Sequence, residues 1–200
     1  MQPVRHISGT AAPLDRSDVD TDQIIPASWL KRVERTGFGV GLFSAWRESD
    51  PDFVLNRPEY AGASVLVTGT NFGIGSSREH AVWALSDYGF QAVVSPRFGD
   101  IFRNNATKTG LVPVVVSPEF GEALLRAVEH DPTIEVLIDV AEGWISAPSV
   151  GLESGFALDE FTRHRLLEGL DDIGLSMRQV NKIAAYEASR AAWMPSMASQ

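Results

Sequence analysis

From residue 63 onward, apolar and polar positions along the chain fall into alternating short runs. Ser64-Val65-Leu66-Val67-Thr68 is an unbroken β-rich run, the pattern of a strand buried on both faces. The next segment, Gly69 to Gly75, contains three glycines and predicts a loop. Ser77 to Tyr88 places Ala81, Ala84, Leu85 and Tyr88 at helical spacing, so a helix is expected there. The alternation repeats with a strand at Gln91 to Ser95, a helix from Gly99 to Thr109 ended by Gly110, and a strand at Leu111 to Val116. A helix follows from Pro118 to His130, with proline at a helix start where its missing N–H costs little. Two more strands are predicted at Thr133 to Asp139 and Gly143 to Ala147, then helices at Asp159 to Gly169 and Ser176 to Ala192, the second amphipathic. This order argues for a mostly parallel central sheet with flanking helices, an α/β fold.

The first 60 residues show no such rhythm. They are rich in Pro, Gly, Asp and Arg and hold one apolar core, Ile24-Ile25-Pro26, followed by the glycine-rich Thr36 to Gly41. So long an irregular stretch in a compact domain is functional or disordered. Its aromatics Trp29, Phe38, Phe43 and Trp46 favour the former. The expected organisation is one domain over residues 1–200. It comprises an irregular N-terminal part (1–60), an α/β core (63–150) and C-terminal helices (159–200).

Composition narrows the chemistry. Two hundred residues can bury a core without staples, and 44% apolar with 22% charged residues is ordinary for a globular protein. The net charge of −9 disfavours nucleic acid and anionic membrane surfaces, both of which require Lys and Arg. No apolar run approaches the ~18 residues of a membrane span, and the N-terminus lacks a signal-peptide pattern. There are no cysteines, so a disulfide scaffold, a thiolate nucleophile and a Cys-ligated metal site or cluster held by this chain alone are excluded. The four histidines show no metal-binding pairing, and a cytoplasmic location is expected.

Three segments stand out. Asn71 to Ala81 follows a strand and opens a helix. Its glycines permit close backbone approach, the helix start favours an anion, and Arg78 offers a bidentate donor. Ser76 and Glu79 equally fit a helix-capping box, which is structural hardware. The segment lacks the Walker spacing and lysine, and Arg78 stands at the third glycine position of a dinucleotide loop. Asp18 to Pro26 opens like a calcium loop with Asp18, Asp20 and Asp22, but Gln23 and Trp29 occupy the positions that need Gly and Glu. A polar turn, or a carboxylate at Asp22 beside an active site, are the two readings. Ser95 to Asn105 fits a turn and a helix start, with Asp100 favourable in the first turn.

Taken in order, Asp18-Val19-Asp20-Thr21-Asp22-Gln23-Ile24-Ile25-Pro26, Arg35 to Gly39, Gly75-Ser76-Ser77-Arg78-Glu79-His80-Ala81, Arg97 to Asn105 and Leu166 to Ile173 resemble the small subunits of 3-isopropylmalate dehydratase, in the aconitase superfamily. The resemblance implies a swivelling β/β/α domain like the aconitase C-terminal domain. It implies a large-subunit partner that carries a four-iron four-sulfur cluster, with no cofactor or metal on this chain. It also implies a small dicarboxylate substrate, and interconversion of 2- and 3-isopropylmalate through isopropylmaleate in leucine biosynthesis. Residue by residue, Ser76 is implied as the catalytic base and Arg78 as the carboxylate grip, with Ser77, Asp22 and Thr21 lining the site. The loop at about 28–42 is implied to select the substrate. There Leu30 and Val33 are the apolar candidates, while Lys31, Arg32 and Arg35 leave a carboxylate-binding role open. A sister hydro-lyase acting on homoaconitate or a methylmalate, and a non-catalytic anion-binding module, are the competing readings.

Overall fold

The computed structural model describes residues 1–31, 36–191 and 193–194. In chain order the elements are β1 (His6–Leu14), α1 (Thr21–Ile24), α2 (Ser44–Ser49), β2 (Val65–Thr68), α3 (Glu79–Tyr88), β3 (Ala92–Ser95), α4 (Asp100–Thr109) and β4 (Val112–Val115). They continue with α5 (Pro118–His130), β5 (Glu135–Asp139), β6 (Trp144–Ala147), β7 (Leu152–Gly155), α6 (Glu160–Glu168), α7 (Asp172–Met177) and α8 (Val180–Ser189). The seven strands form one sheet in the order β4-β3-β2-β1-β5-β6-β7. Pairing is parallel from β4 to β1 and antiparallel from β1 to β7, so β1 to β4 and β6 share one direction.

The two halves bury differently. Every residue of β2 and β3 is buried, as expected where helices cover both faces. In β5 exposed and buried residues alternate, which leaves one face open. Successive parallel crossovers place α3 and α4 side by side, and α5 packs back across β3, β2 and β1. The α5 helix starts as expected, with Ser117 capping the Phe120 N–H and Pro118 in the first turn. Gly110 closes α4 and Gly169 closes α6, both in the left-handed conformation. At the other end of α6, Asp159 accepts the Thr162 N–H, which holds its carboxyl below the usual range.

Three expectations need correction. The N-terminal part is not irregular throughout, because β1 lies in the middle of the sheet. Its sequence, HISGTAAPL, hides this: the residues are mostly small or polar, and Pro13 argues against a central strand. The strand divides its pairing, with residues 6–10 on β5 and 11–14 on β2, so Pro13 sits where only one side is paired. The helix expected from Ser77 begins at Glu79. The single amphipathic helix expected at 176–192 is instead two, α7 and α8, and neither has a buried residue.

Candidate functional site

The loops that leave the carboxyl ends of β1, β2 and β3 come together at one edge of the sheet, the usual ligand edge of a parallel α/β sheet. They are laced by main-chain bonds rather than side-chain packing alone. Isolated parallel bridges join Asp20 to Ile74 and Phe72 to Phe98. The Gly73 and Ile74 N–H groups both donate to the Val19 carbonyl, at 2.8 and 3.2 Å, and Thr21 N–H donates to the Ile74 carbonyl at 2.9 Å. Beneath them Phe72, Phe98 and Phe102 form an aromatic cluster. Glycine is required at Gly73, where φ is +73° and a Cβ would meet Phe102 at 2.3 Å.

This lacing brings Thr21, Asp22, Ser76 and Arg78 together. Thr21 is buried, and its hydroxyl donates to the Ser76 carbonyl at 3.1 Å. Asp22 forms an ion pair with the Arg78 guanidinium. The Arg78 side chain is 18% exposed and Asp22 53%, so the guanidinium is sheltered while its partner faces outward. Ser76 and Ser77 are exposed, on the bend that precedes α3.

The capping box expected at Ser76 and Glu79 does not form. Arg78 is the N-cap of α3 with no side-chain hydrogen bond, so the Ser76 hydroxyl is not used as a cap. The capping box lies instead at Asp20 and Gln23, which bracket the start of α1. The three carboxylates that suggested a calcium loop diverge. Asp18 accepts from Asn71, Asp20 caps α1 and Asp22 holds Arg78. Among the described residues no group of three His, Cys, Asp or Glu side chains could hold a metal. With no cysteine in the chain, it has no thiolate to offer an iron–sulfur cluster.

Of the loop residues, Leu30 is half-buried in a 3₁₀ turn, Ala27–Lys31. Val33, with Arg32 and Arg35, lies outside the described residues. The downstream end of the loop is firmly seated, with Phe38 fully buried against α3. Sequence reasoning did not connect Phe38 with His80, Trp83 and Asp87 of α3, since a contact across as many as 49 positions leaves no periodic trace.

A shallow depression of about 510 Å³ is lined by Gly37, Gly39, Val40, Arg47, Asp87 and Tyr88, and neither Ser76 nor Arg78 contributes to it. Among the described residues no helix is long and apolar enough to cross a membrane.

The fold and this edge define a class first. The sequence model of the aconitase C-terminal domain matches residues 1–119. The model of the C-terminal domain of 3-isopropylmalate dehydratase small subunits matches residues 172–198. The chain is 60% identical over 191 residues to the 3-isopropylmalate dehydratase small subunit of a Parafrankia species, with 96% of each chain covered. It is 59% identical over 195 residues to the small subunit of Acidothermus cellulolyticus, with 98% of each covered. The crystal structure of 3-isopropylmalate dehydratase from Methanocaldococcus jannaschii superposes with a TM-score of 0.68 at 26% identity, covering 90% of this chain and 99% of that one. The chain belongs to the 3-isopropylmalate dehydratase small subunit family.

Proposed function

We propose that this chain, acting over its whole length as one swivelling domain, supplies half of the active site of a heteromeric hydro-lyase in leucine biosynthesis. That enzyme interconverts 2- and 3-isopropylmalate through isopropylmaleate. The observation that carries this reading is the sheltered Arg78 beside two exposed serines on an open sheet edge, because an open half-site needs a second surface to exclude water. A large subunit provides that surface and, on its own cysteines, the four-iron cluster that serves as Lewis acid for the departing hydroxide. The cysteine-free chain and its biosynthetic role fit the cytoplasm.

Within this chain the residues divide the work. The proton to be removed lies next to a carboxylate and is weakly acidic, so its base needs a positively biased, dry setting. Ser76 is that base. The Thr21 hydroxyl bond to its carbonyl fixes the bend, while the start of α3 contributes roughly half a positive charge. Arg78 presents a planar fork to one substrate carboxylate, oriented by Asp22. Ser77 and neighbouring main-chain N–H groups hold the developing negative charge on the substrate. Leu30 and Val33, from the loop at about 28–42, provide the wall for the isopropyl group.

The test is reconstitution. The chain co-expressed with a large subunit, iron-loaded and assayed by isopropylmaleate absorbance, should convert both isopropylmalates, whereas this chain alone should convert neither. A loaded complex that turns over a tricarboxylate or a methylmalate but not isopropylmalate would overturn the substrate assignment.

A further inference from the structure

We propose that Asp87 is a positioning residue for substrate selection, anchoring the downstream end of the substrate loop to the helix that carries Arg78; this rests on the loop's role proposed above. The Phe38 N–H donates to Asp87 Oδ2 at 2.9 Å. The Phe38 ring is fully buried, its centroid 5.3 Å from His80 in an edge arrangement and 5.7 Å from Trp83. The His80 and Trp83 rings in turn lie 4.7 Å apart. Gly39 then presses on the main chain of α3, where a Cβ would come within 2.8 Å of the Tyr88 nitrogen and 3.0 Å of the Asp87 carbonyl oxygen. The upstream end of the loop packs on this downstream end, since a Cβ on Gly41 would stand 2.5 Å from the Trp29 ring.

His80, Trp83, Asp87 and Tyr88 all belong to α3, and Arg78 is its N-cap. Asp87 lies nine positions after Arg78, about 13 Å along the helix at ~1.5 Å per residue. One rigid element therefore references both the carboxylate grip and the alkyl-selecting loop, which fixes the distance between the two ends of a substrate. The aromatic cluster seats the loop by burial, which is not directional. The Asp87 carboxylate is directional, and its hydrogen bond to one N–H sets the register of the loop on the helix. Removing that acceptor leaves Phe38 buried but able to slide, and the alkyl wall shifts relative to Arg78.

The experiment compares Asp87→Ala and Asp87→Asn with the parent chain, each assembled with the large subunit. KM and kcat are measured for isopropylmalate and for an analogue with methyl in place of isopropyl, and hydrogen exchange is followed over residues 36–41. For Asp87→Ala we expect KM for isopropylmalate to rise about tenfold with kcat changed less than about threefold. The preference for isopropyl over methyl should fall about tenfold, and exchange at Phe38 should quicken at least about tenfold while α3 stays protected. Asp87→Asn keeps an amide oxygen as acceptor and should recover most of each effect. Unchanged exchange at Phe38, or an equal kcat loss on both substrates with KM unmoved, would overturn the anchor. Failure of the parent assembly to turn over isopropylmalate would instead strike the substrate assignment, and the exchange result would still decide whether Asp87 holds the loop.

Discussion

The guanidinium of Arg78 is held by the carboxylate of Asp22, a residue 56 positions earlier in the short helix α1. The pair joins the α1 turn to the start of α3. Because Asp22 is 53% exposed, the pair adds little to stability, within the ~0–1 kcal/mol of surface ion pairs. Its expected importance lies in orientation. Asp22→Ala should leave the melting temperature within about 3 °C and lower kcat/KM at least about tenfold, chiefly through KM. Arg78→Lys should cost more, since an ammonium cannot replace the planar fork, and a loss of ~2–5 kcal/mol in transition-state binding is expected. Steady-state kinetics beside thermal melts check both, and parent-like kinetics for Arg78→Lys would remove Arg78 from the substrate contacts.

Ser76 offers a cleaner separation of roles than a helix cap would allow. It is exposed and caps nothing, so Ser76→Ala should shift stability by no more than ~0.5 kcal/mol. As the proposed base it should cost ~10²–10⁴ in kcat with KM little changed. A variant that folds, assembles and turns over at the parent rate would place the base elsewhere.

How far the sequence disclosed this arrangement depends on the range of the interactions. The βα units from residue 64 to 130 were legible because each element carries its own local period and its own stop signal, such as Gly110 and Pro118. The strand β1 was not, since its place at the sheet centre comes from partners far along the chain, Val65 for Ala11 and Ile138 for Ile7. Asp20 and Ser76 show the same limit at short range. Both begin a plausible capping box, and only Asp20 forms one, because the lacing of Ile74 to Thr21 holds the Ser76 bend out of the helix. The candidate site residues came from contiguous motifs and the resemblance they carry, but the pairing of Asp22 with Arg78 and the seating of Phe38 on α3 needed the fold.

The C-terminal helix should be dispensable for the fold of this chain. α8 has no buried residue, and Val180, Ile183 and Tyr186 are all exposed. The preceding turn is tied down differently, through Asp172, which pairs with the buried Arg165 at 2.9 Å. A chain ending at Gln179 keeps that pair and should melt within about 2 °C of the full-length chain, since none of the described residues it removes is buried. Extending the deletion to remove Asp172 as well should lower stability measurably, because it leaves the Arg165 guanidinium, only 6% exposed, without its carboxylate. Equal melting temperatures for the two truncations would show that the pair contributes nothing.

Gly73 and Gly75 share a positive φ but differ in surroundings, and the difference predicts two distinct phenotypes. Gly73 has φ +73° and no room, with Phe102 ring atoms at 2.3 Å from a Cβ. Gly75 has φ +90° and space, its nearest neighbour being the Asp20 Cβ at 3.5 Å. A left-handed backbone costs an L-residue ~1–2 kcal/mol, which both alanine variants incur. Gly73→Ala must in addition push apart the Phe72, Phe98 and Phe102 cluster, and overpacking of this kind adds ~1–3 kcal/mol. Gly73→Ala should therefore lose ~2–5 kcal/mol by denaturant unfolding and Gly75→Ala only ~1–2 kcal/mol. Activity should rank them differently, because Gly75 adjoins Ser76 and any relaxation of its φ moves the serine directly. At a temperature where both are folded, Gly75→Ala should lose at least as much kcat as Gly73→Ala despite its greater stability. If instead activity follows stability in both variants, the bend at Gly75 does not set the position of Ser76.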